Sequence, residues 1–245
     1  MRNQDSVGMF SPIRSIRVHR WVHALLLLAC TAILVALFVR TPGKKELPRV
    51  LIIGDSISME YTPMVAALLA KQATVVHNPG NGGPTIRGMR EVEGYLGDEK
   101  WDVIHFNWGL WDMYGWKYEK ADRSPEEYER RLEALVHRLK QTGARLIWAT
   151  STPICPEEEK DSGVLVDPAT ERLYLEAAAQ VMARHQIQVD DLHALMEPVR
   201  AQYALSDNNV HFTREGYELL AEQVARSIES ALSGGGSMGS ACETH

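Results

Sequence analysis

Cysteine is scarce in these 245 residues: Cys30, Cys155 and Cys242 are the whole supply, and no two stand at CxxC spacing. Cys30 lies in an apolar run and Cys242 in a polar tail, which argues against a disulfide framework. Excess basic charge is missing too. The net charge is −6, and no basic stripe interleaved with aromatic residues occurs, so no nucleic-acid partner is expected. No HExxH motif is present, and His19 and His23 flank or enter an apolar run, so no metal site is expected. The glycine-rich stretch His77-Asn78-Pro79-Gly80-Asn81-Gly82-Gly83-Pro84-Thr85 lacks the GK[ST] ending of a phosphate-binding loop. No internal repeat is visible either. What remains, 45% hydrophobic and 24% charged, is ordinary for one globular domain with appendages.

The first appendage is a basic segment, residues 1–20. It leads into Trp21–Val39, an apolar run interrupted only by His23 and Thr31. As a helix, its roughly 19 residues would nearly cross the hydrocarbon core of a bilayer. That length suits an uncleaved transmembrane anchor, with a cleaved signal peptide as the alternative. Leu27-Leu28-Ala29-Cys30 loosely resembles a lipoprotein cleavage box, but the apolar run continues past the cysteine. With a short N-terminal segment inside, the domain that follows would be extracytoplasmic. A polar linker, residues 40–48, precedes the domain at 49–232. A tail, residues 233–245, begins Ser-Gly-Gly-Gly-Ser and has too few apolar residues to pack.

Within the domain, buried-looking strand runs at 50–54, 73–77, 102–108, 144–150 and 187–191 alternate with helical periodicity. Ser124-Pro125-Glu126-Glu127 has the residues of a capped helix start with a capping box, Asp167-Pro168 opens a second helix, and Thr213 opens the last. The alternation predicts a doubly wound, flavodoxin-like three-layer α/β sandwich with a parallel sheet of about five strands. Ligands bind such sheets beyond the carboxyl ends of the strands. Ser56, the loop 78–83, Asn107 to Asp112 and Thr150 to Pro153 all fall on that edge.

Two segments carry the chemistry. Val50-Leu51-Ile52-Ile53-Gly54-Asp55-Ser56 reads as a strand emptying into a tight turn that presents a serine. Asp207-Asn208-Asn209-Val210-His211-Phe212-Thr213 places a histidine ahead of the last helix. A serine hydroxyl becomes a useful nucleophile once a base can take its proton, and the order Ser, Asp/Asn, His is one that nucleophilic hydrolases use. The competing role for Ser56 is a helix N-cap.

Gly54-Asp55-Ser56-Ile57, together with Val210-His211-Phe212-Thr213-x-x-Gly216-Tyr217, resembles the SGNH (GDSL-type) hydrolase superfamily over roughly residues 49–232. The resemblance implies a serine esterase that forms an acyl-enzyme and needs no cofactor, with Ser56 as nucleophile and His211 as general base. It implies an oxyanion hole made of the Ser56 and Gly83 amides and an asparagine. Where the superfamily carries Gly-x-Asn-Asp, this chain has Gly109-Leu110-Trp111-Asp112, so the amide is sought at Asn107. Where the superfamily carries aspartate three residues before histidine, this chain has Asn208, with Asp207 one step earlier. Asp207 is the favoured partner of His211 because a carboxylate stabilises imidazolium, with Asn208 or a bare Ser-His dyad as alternatives.

Trp108, Trp111 and Tyr114 crowd the loop beside this edge, and could line a substrate pocket or simply pack. The expected substrate is a small-molecule or glycan ester, an O-acetyl or short acyl group first. A lysophospholipid or fatty-acyl ester, acyl transfer to an alcohol, and a catalytically weak glycan-binding module are the other readings.

Overall fold

Burial on both faces is what continuous apolar strand runs anticipate, and β1 (Arg49–Ile53) has it, with Val50, Leu51, Ile52 and Ile53 all 0–1% exposed. Its parallel neighbours are β2 (Thr74–His77) and β3 (Val103–Phe106), and Leu51 stands opposite Val76 on one side and Ile104 on the other. β4 (Arg145–Ala149) and β5 (Gln188–Asp190) continue the sheet beyond β3. The order β2-β1-β3-β4-β5 is the flavodoxin-like one, with a topological switch point at β1 and β3. This computed structural model describes residues 46–117, 122–155 and 166–234. The apolar run 21–39 expected to anchor the chain lies outside the described residues, as do the segment 1–20 and nearly all of the tail. No described helix is long and apolar enough to cross a membrane.

Right-handed crossovers require the helix between β1 and β2 to lie on one face, and those returning through β3, β4 and β5 on the other. Accordingly α1 (Ser56–Leu68) packs against the last helix, α8 (Arg214–Ser233). On the opposite face α2 (Thr85–Leu96) packs on α4 (Pro125–Lys140), and α4 on α5 (Pro168–His185). The short helix α3 (Leu110–Tyr114) follows β3, and α6 (Leu192–Met196) and α7 (Arg200–Tyr203) lead from β5 toward α8.

The helix starts follow local chemistry. Ser124 Oγ accepts from Glu127 N, Asp167 from Thr170 N and Thr213 from Gly216 N, each satisfying an orphan amide of the first turn. The capping box at Ser124 is not closed by Glu127. That carboxylate is turned to Arg130, and the Ser124 amide donates instead to Asp122 Oδ1 at 2.9 Å. A guanidinium one turn away outcompetes a neutral backbone amide for the glutamate.

Candidate active site

The turn after β1 resolves the competition over Ser56. Asp55, not Ser56, is the N-cap of α1: its Oδ1 accepts from Ile57 N at 3.0 Å. Burial raises the Asp55 carboxyl to about 6, against the opposing pull of that backbone bond. Ser56 is therefore the first residue of α1, with its hydroxyl released from capping duty. Its Oγ lies 2.9 Å from His211 Nε2, across 155 residues of sequence.

The ring of His211 is oriented by Asn209. His211 Nδ1 lies 2.9 Å from Asn209 Oδ1, and the His211 backbone N–H donates to the same oxygen at 2.9 Å. A backbone amide can only donate, so this second bond fixes which end of the Asn209 amide faces the histidine. Nδ1 must then carry a hydrogen, and Nε2 is left as the acceptor for the Ser56 hydroxyl.

The two residues expected to orient His211 are placed elsewhere. Asp207 and Asn208 are both exposed. The Asp207 carbonyl accepts from Arg200 Nη2 at 3.2 Å, and Asn208 Oδ1 accepts from Ser206 Oγ at 3.0 Å. The Asn209 contact spans only two residues, so an Asx-type turn closes it within the loop, while the residues before it turn outward. Asn209 is the residue the sequence reading missed. Its signal was an asparagine two positions from the histidine, a spacing at which Asn side chains commonly bond their own backbone.

The expected oxyanion donors are near the turn but already engaged. Gly82 N–H donates to Gly54 O at 2.8 Å, which lays the glycine-rich loop against the Ser56 turn. Gly83 N–H, next along, donates to Asn81 Oδ1 at 2.8 Å. Asn107 Nδ2 donates to Ala149 O at 2.7 Å and more loosely to Ser151 Oγ at 3.4 Å. Asn107 also borders a small cavity of about 10 Å³ shared with Asp55 and Ile57, the neighbours of Ser56. The Ser56 amide, at the start of a helix, has no carbonyl one turn back to bond within that helix.

His77 supports the turn from β2. Its Nδ1 is 2.7 Å from Asn78 O, and its Nε2 is 2.7 Å from Ser58 Oγ. A carbonyl only accepts, so Nδ1 holds a hydrogen, while the single hydrogen of the Ser58 hydroxyl is contested between His77 Nε2 and the Asp55 carbonyl oxygen 2.8 Å away. Burial lowers the His77 pKa, which favours the neutral ring.

The aromatic loop divides between packing and surface. Trp108 is 1% and Tyr114 0% exposed, so of the two roles that the sequence left open for them these side chains take packing here. Trp108 packs against Phe106 and over Gly88 of α2, and Tyr114 bonds Cys155 and stacks on Trp116 at 4.5 Å. Trp111 is half-buried, crossed by Trp116 at 5.4 Å and by the Arg87 guanidinium at 5.8 Å. Asp112 is buried and accepts from both the Thr85 amide and hydroxyl, fastening the start of α2 to α3. Among the described residues one cluster could offer three metal-ligating atoms, namely Glu133, His137 and His185 between α4 and α5. Arg184 already occupies the other Glu133 oxygen, and the cluster lies on helices away from the strand ends that carry Ser56.

Residues 52–219 match the sequence model of a family described as GDSL-like lipase/acylhydrolase. Among solved structures, the chain is similar to an acetyl xylan esterase, with a TM-score of 0.61 and 16% identity over 74% of this chain and 99% of the other. It is similar also to a lipase/acylhydrolase from Enterococcus faecalis, with a TM-score of 0.59 and 20% identity over 75% and 96% of the two chains. A catalytic mutant of an acetylxylan esterase from Geobacillus stearothermophilus gives a TM-score of 0.61 and 20% identity over 75% and 94%. At these identities the likeness to solved structures is one of fold. No curated protein sequence matches the chain.

Proposed function

The chain belongs to the GDSL-like lipase/acylhydrolase family and is a carboxylic ester hydrolase, and from that premise we propose that Ser56 and His211 carry its chemistry. Ser56 Oγ attacks the ester carbonyl while His211 Nε2 takes its proton. The collapsing tetrahedral intermediate expels the alcohol, which receives that proton, and acyl-Ser56 remains. Water, activated by the same nitrogen, then frees the acid. The observation that carries the reading is the 2.9 Å contact between Ser56 Oγ and a histidine whose tautomer Asn209 holds.

The Ser56 N–H is the first oxyanion donor. Gly83 N–H joins it by exchanging Asn81 for the developing charge, and Asn107 by turning its looser hydrogen from Ser151 while keeping Ala149. The substrate is an ester of a short acyl group, O-acetyl on a carbohydrate first, a preference supported by the acetyl xylan esterases among the similar folds. Anchoring through residues 21–39, with the domain outside the cytoplasm, belongs to this proposal and rests on the apolar run alone.

The test is a fluorophosphonate probe together with an aryl acetate. The wild-type protein is expected to be labelled at Ser56 and to turn over the acetate. Ser56→Ala is expected to keep its far-UV circular dichroism and lose both. Undiminished hydrolysis by folded Ser56→Ala protein would remove the assignment.

A further inference from the structure

A second group of chemically able side chains stands at the opposite edge of the sheet. α4 and α5 end just before β4 and β5 begin, so their last turns lie at the amino ends of the strands, away from Ser56. There Glu133 and His137, one turn apart on α4, meet His185, the final residue of α5. Glu133 Oε1 lies 2.5 Å from His185 Nε2 and 3.6 Å from His137 Nε2, and the two imidazole rings meet at 4.7 Å and 83°. One donor atom from each of the three falls within 4.8 Å of the others. No sequence motif announces the group, because its third member comes from another helix.

We propose that these three side chains bind a divalent transition-metal ion of the zinc class, and that the ion staples α4 to α5. Two imidazoles and a carboxylate form a donor set that zinc takes, whereas calcium and magnesium take oxygen ligands. Donors around a tetrahedral zinc stand about 3.3 Å apart, so the contact at 2.5 Å must open and the one at 3.6 Å close slightly, each within the reach of a side-chain rotation. The hydrated ion exchanges waters for Glu133 Oε1 and the two ring nitrogens, and keeps water at its remaining position.

The surroundings permit it. Lys140 Nζ lies 3.4 Å from His185 Nδ1, and an ammonium only donates, so Nδ1 accepts and the ring donates from Nε2 to Glu133. That ring is neutral, and metal binding needs only a change of tautomer. The hydrogen leaves Nε2, one arrives at Nδ1 from solvent, and the exposed Lys140 turns away, with no net proton released from the ring. The other charges nearby are already paired. Arg184 divides itself between Glu129 and Glu133 Oε2, which leaves Oε1 for the ion, and Arg138 is held by Glu93. The carboxyl-terminal turns of both helices are the negative poles of their dipoles and attract a cation. That polarity alone would account for basic residues at these ends, and a titration with metal separates the two cases.

The experiment titrates zinc chloride into EDTA-treated, dialysed full-length protein in detergent micelles, followed by calorimetry and by thermal unfolding. One ion per chain is expected to bind. His137→Ala should weaken that binding by about tenfold or more, since losing a ligand costs at least as much as losing an outer-shell partner. At zinc about 100 times the wild-type Kd, the Tm of wild type should rise by about 5 °C or more, and that of His137→Ala by about half as much or less. The His137 side chain is 64% exposed, and its loss leaves the Glu133 pairs with His185 and Arg184 in place. The metal-free Tm of His137→Ala should therefore match wild type, which separates a lost ligand from misfolding. His211→Ala should bind zinc as wild type does, which sets the site apart from the proposed catalytic histidine. Absence of saturable binding would overturn the proposal, as would binding and a Tm rise that persist undiminished in His137→Ala.

Discussion

Asn209 does with an amide what a carboxylate does in a Ser-His-Asp triad: it fixes the tautomer and the ring plane of His211. It does so without a charge to stabilise the imidazolium. In a triad, changing the carboxylate to an amide costs about 10⁴ in rate, so the reverse change has room to gain. Asn209→Asp keeps both bonds to Oδ1, and its kcat on an aryl acetate is expected to rise by about tenfold or more. The acid limb of its pH–rate profile should move upward, because a carboxylate favours the protonated ring. Asn209→Ala should lose activity, whereas Asp207→Asn and Asn208→Ala, both at exposed positions, should stay near wild type. A rank order in which Asp207→Asn is the worst of the three substitutions that remove a side-chain acceptor or charge would return the orienting role to Asp207.

At the scale of elements, the site depends on three loops being held to one another. The glycine-rich loop reaches the Ser56 turn through Gly82, where an added Cβ would stand 2.7 Å from the Gly54 carbonyl oxygen. Backbone on both sides cannot yield as a side chain can. Gly82→Ala should cost about 1–3 kcal/mol by denaturant unfolding, as overpacking does, and lower kcat by displacing the turn. An unchanged Tm and kcat would show the loop free to move away.

The start of α2 is tied to α3 by Asp112, and that tie is sensitive to pH. Burial raises the Asp112 carboxyl to about 6 from the ordinary 3.8, although the bonds from Thr85 and the nearby Arg131 and Arg123 charges pull it down. The unfolded chain releases this proton near the ordinary value, while the folded chain keeps it until about pH 6. Between those values the folded state binds more protons, so stability falls as pH rises through the window, by about 3 kcal/mol for this group. Asp55 acts in the same direction, so wild type alone cannot separate the two. Asp112→Asn removes one contribution. Its stability relative to wild type should improve by about 2 kcal/mol from pH 4 to pH 7, read from urea melts. A constant difference across that range would mean that Asp112 ionises alike in both states.

Across the whole molecule, the sheet brings the first and last parts of the chain to one edge, and a buried polar tie keeps the far side in register. His105 of β3 lies 3.0 Å from Asp190 of β5, both without exposed surface, and Gln223 of α8 donates to the other Asp190 oxygen at 2.8 Å. The helix that begins just after His211 is thereby fastened to two strands. His105→Leu would leave the Asp190 carboxyl buried with Gln223 as its remaining described partner, a loss expected to cost about 3–5 kcal/mol. Thermal unfolding would measure it, and a shift within error would show that α8 docks by its apolar face alone.

The elements, and the Ser56–His211 pair proposed to do the chemistry, were legible in the sequence. All five expected strands formed within one or two residues of their bounds, and Ser124, Asp167 and Thr213 cap the helices they were read to open. These are local matters of burial period and of first-turn amides. Ser56 and His211 could be read because a strand-turn serine and a histidine ahead of a final helix are chemically informative even when far apart. Which neighbour turns toward His211 was not legible. Asp207, Asn208 and Asn209 are consecutive, and only the path of the loop from α7 selects the one whose oxygen reaches the ring. Trp108 and Tyr114 likewise have the composition of a binding surface, and only the packing of α2 and the chain around Cys155 buries them. The group of Glu133, His137 and His185 joins α4 to the end of α5, a juxtaposition that exists only once the two helices have docked. Period and capping act over a few residues and are written in the chain. Which polar atom meets which partner across a loop depends on distances of an ångström, and those arise only when the layers close.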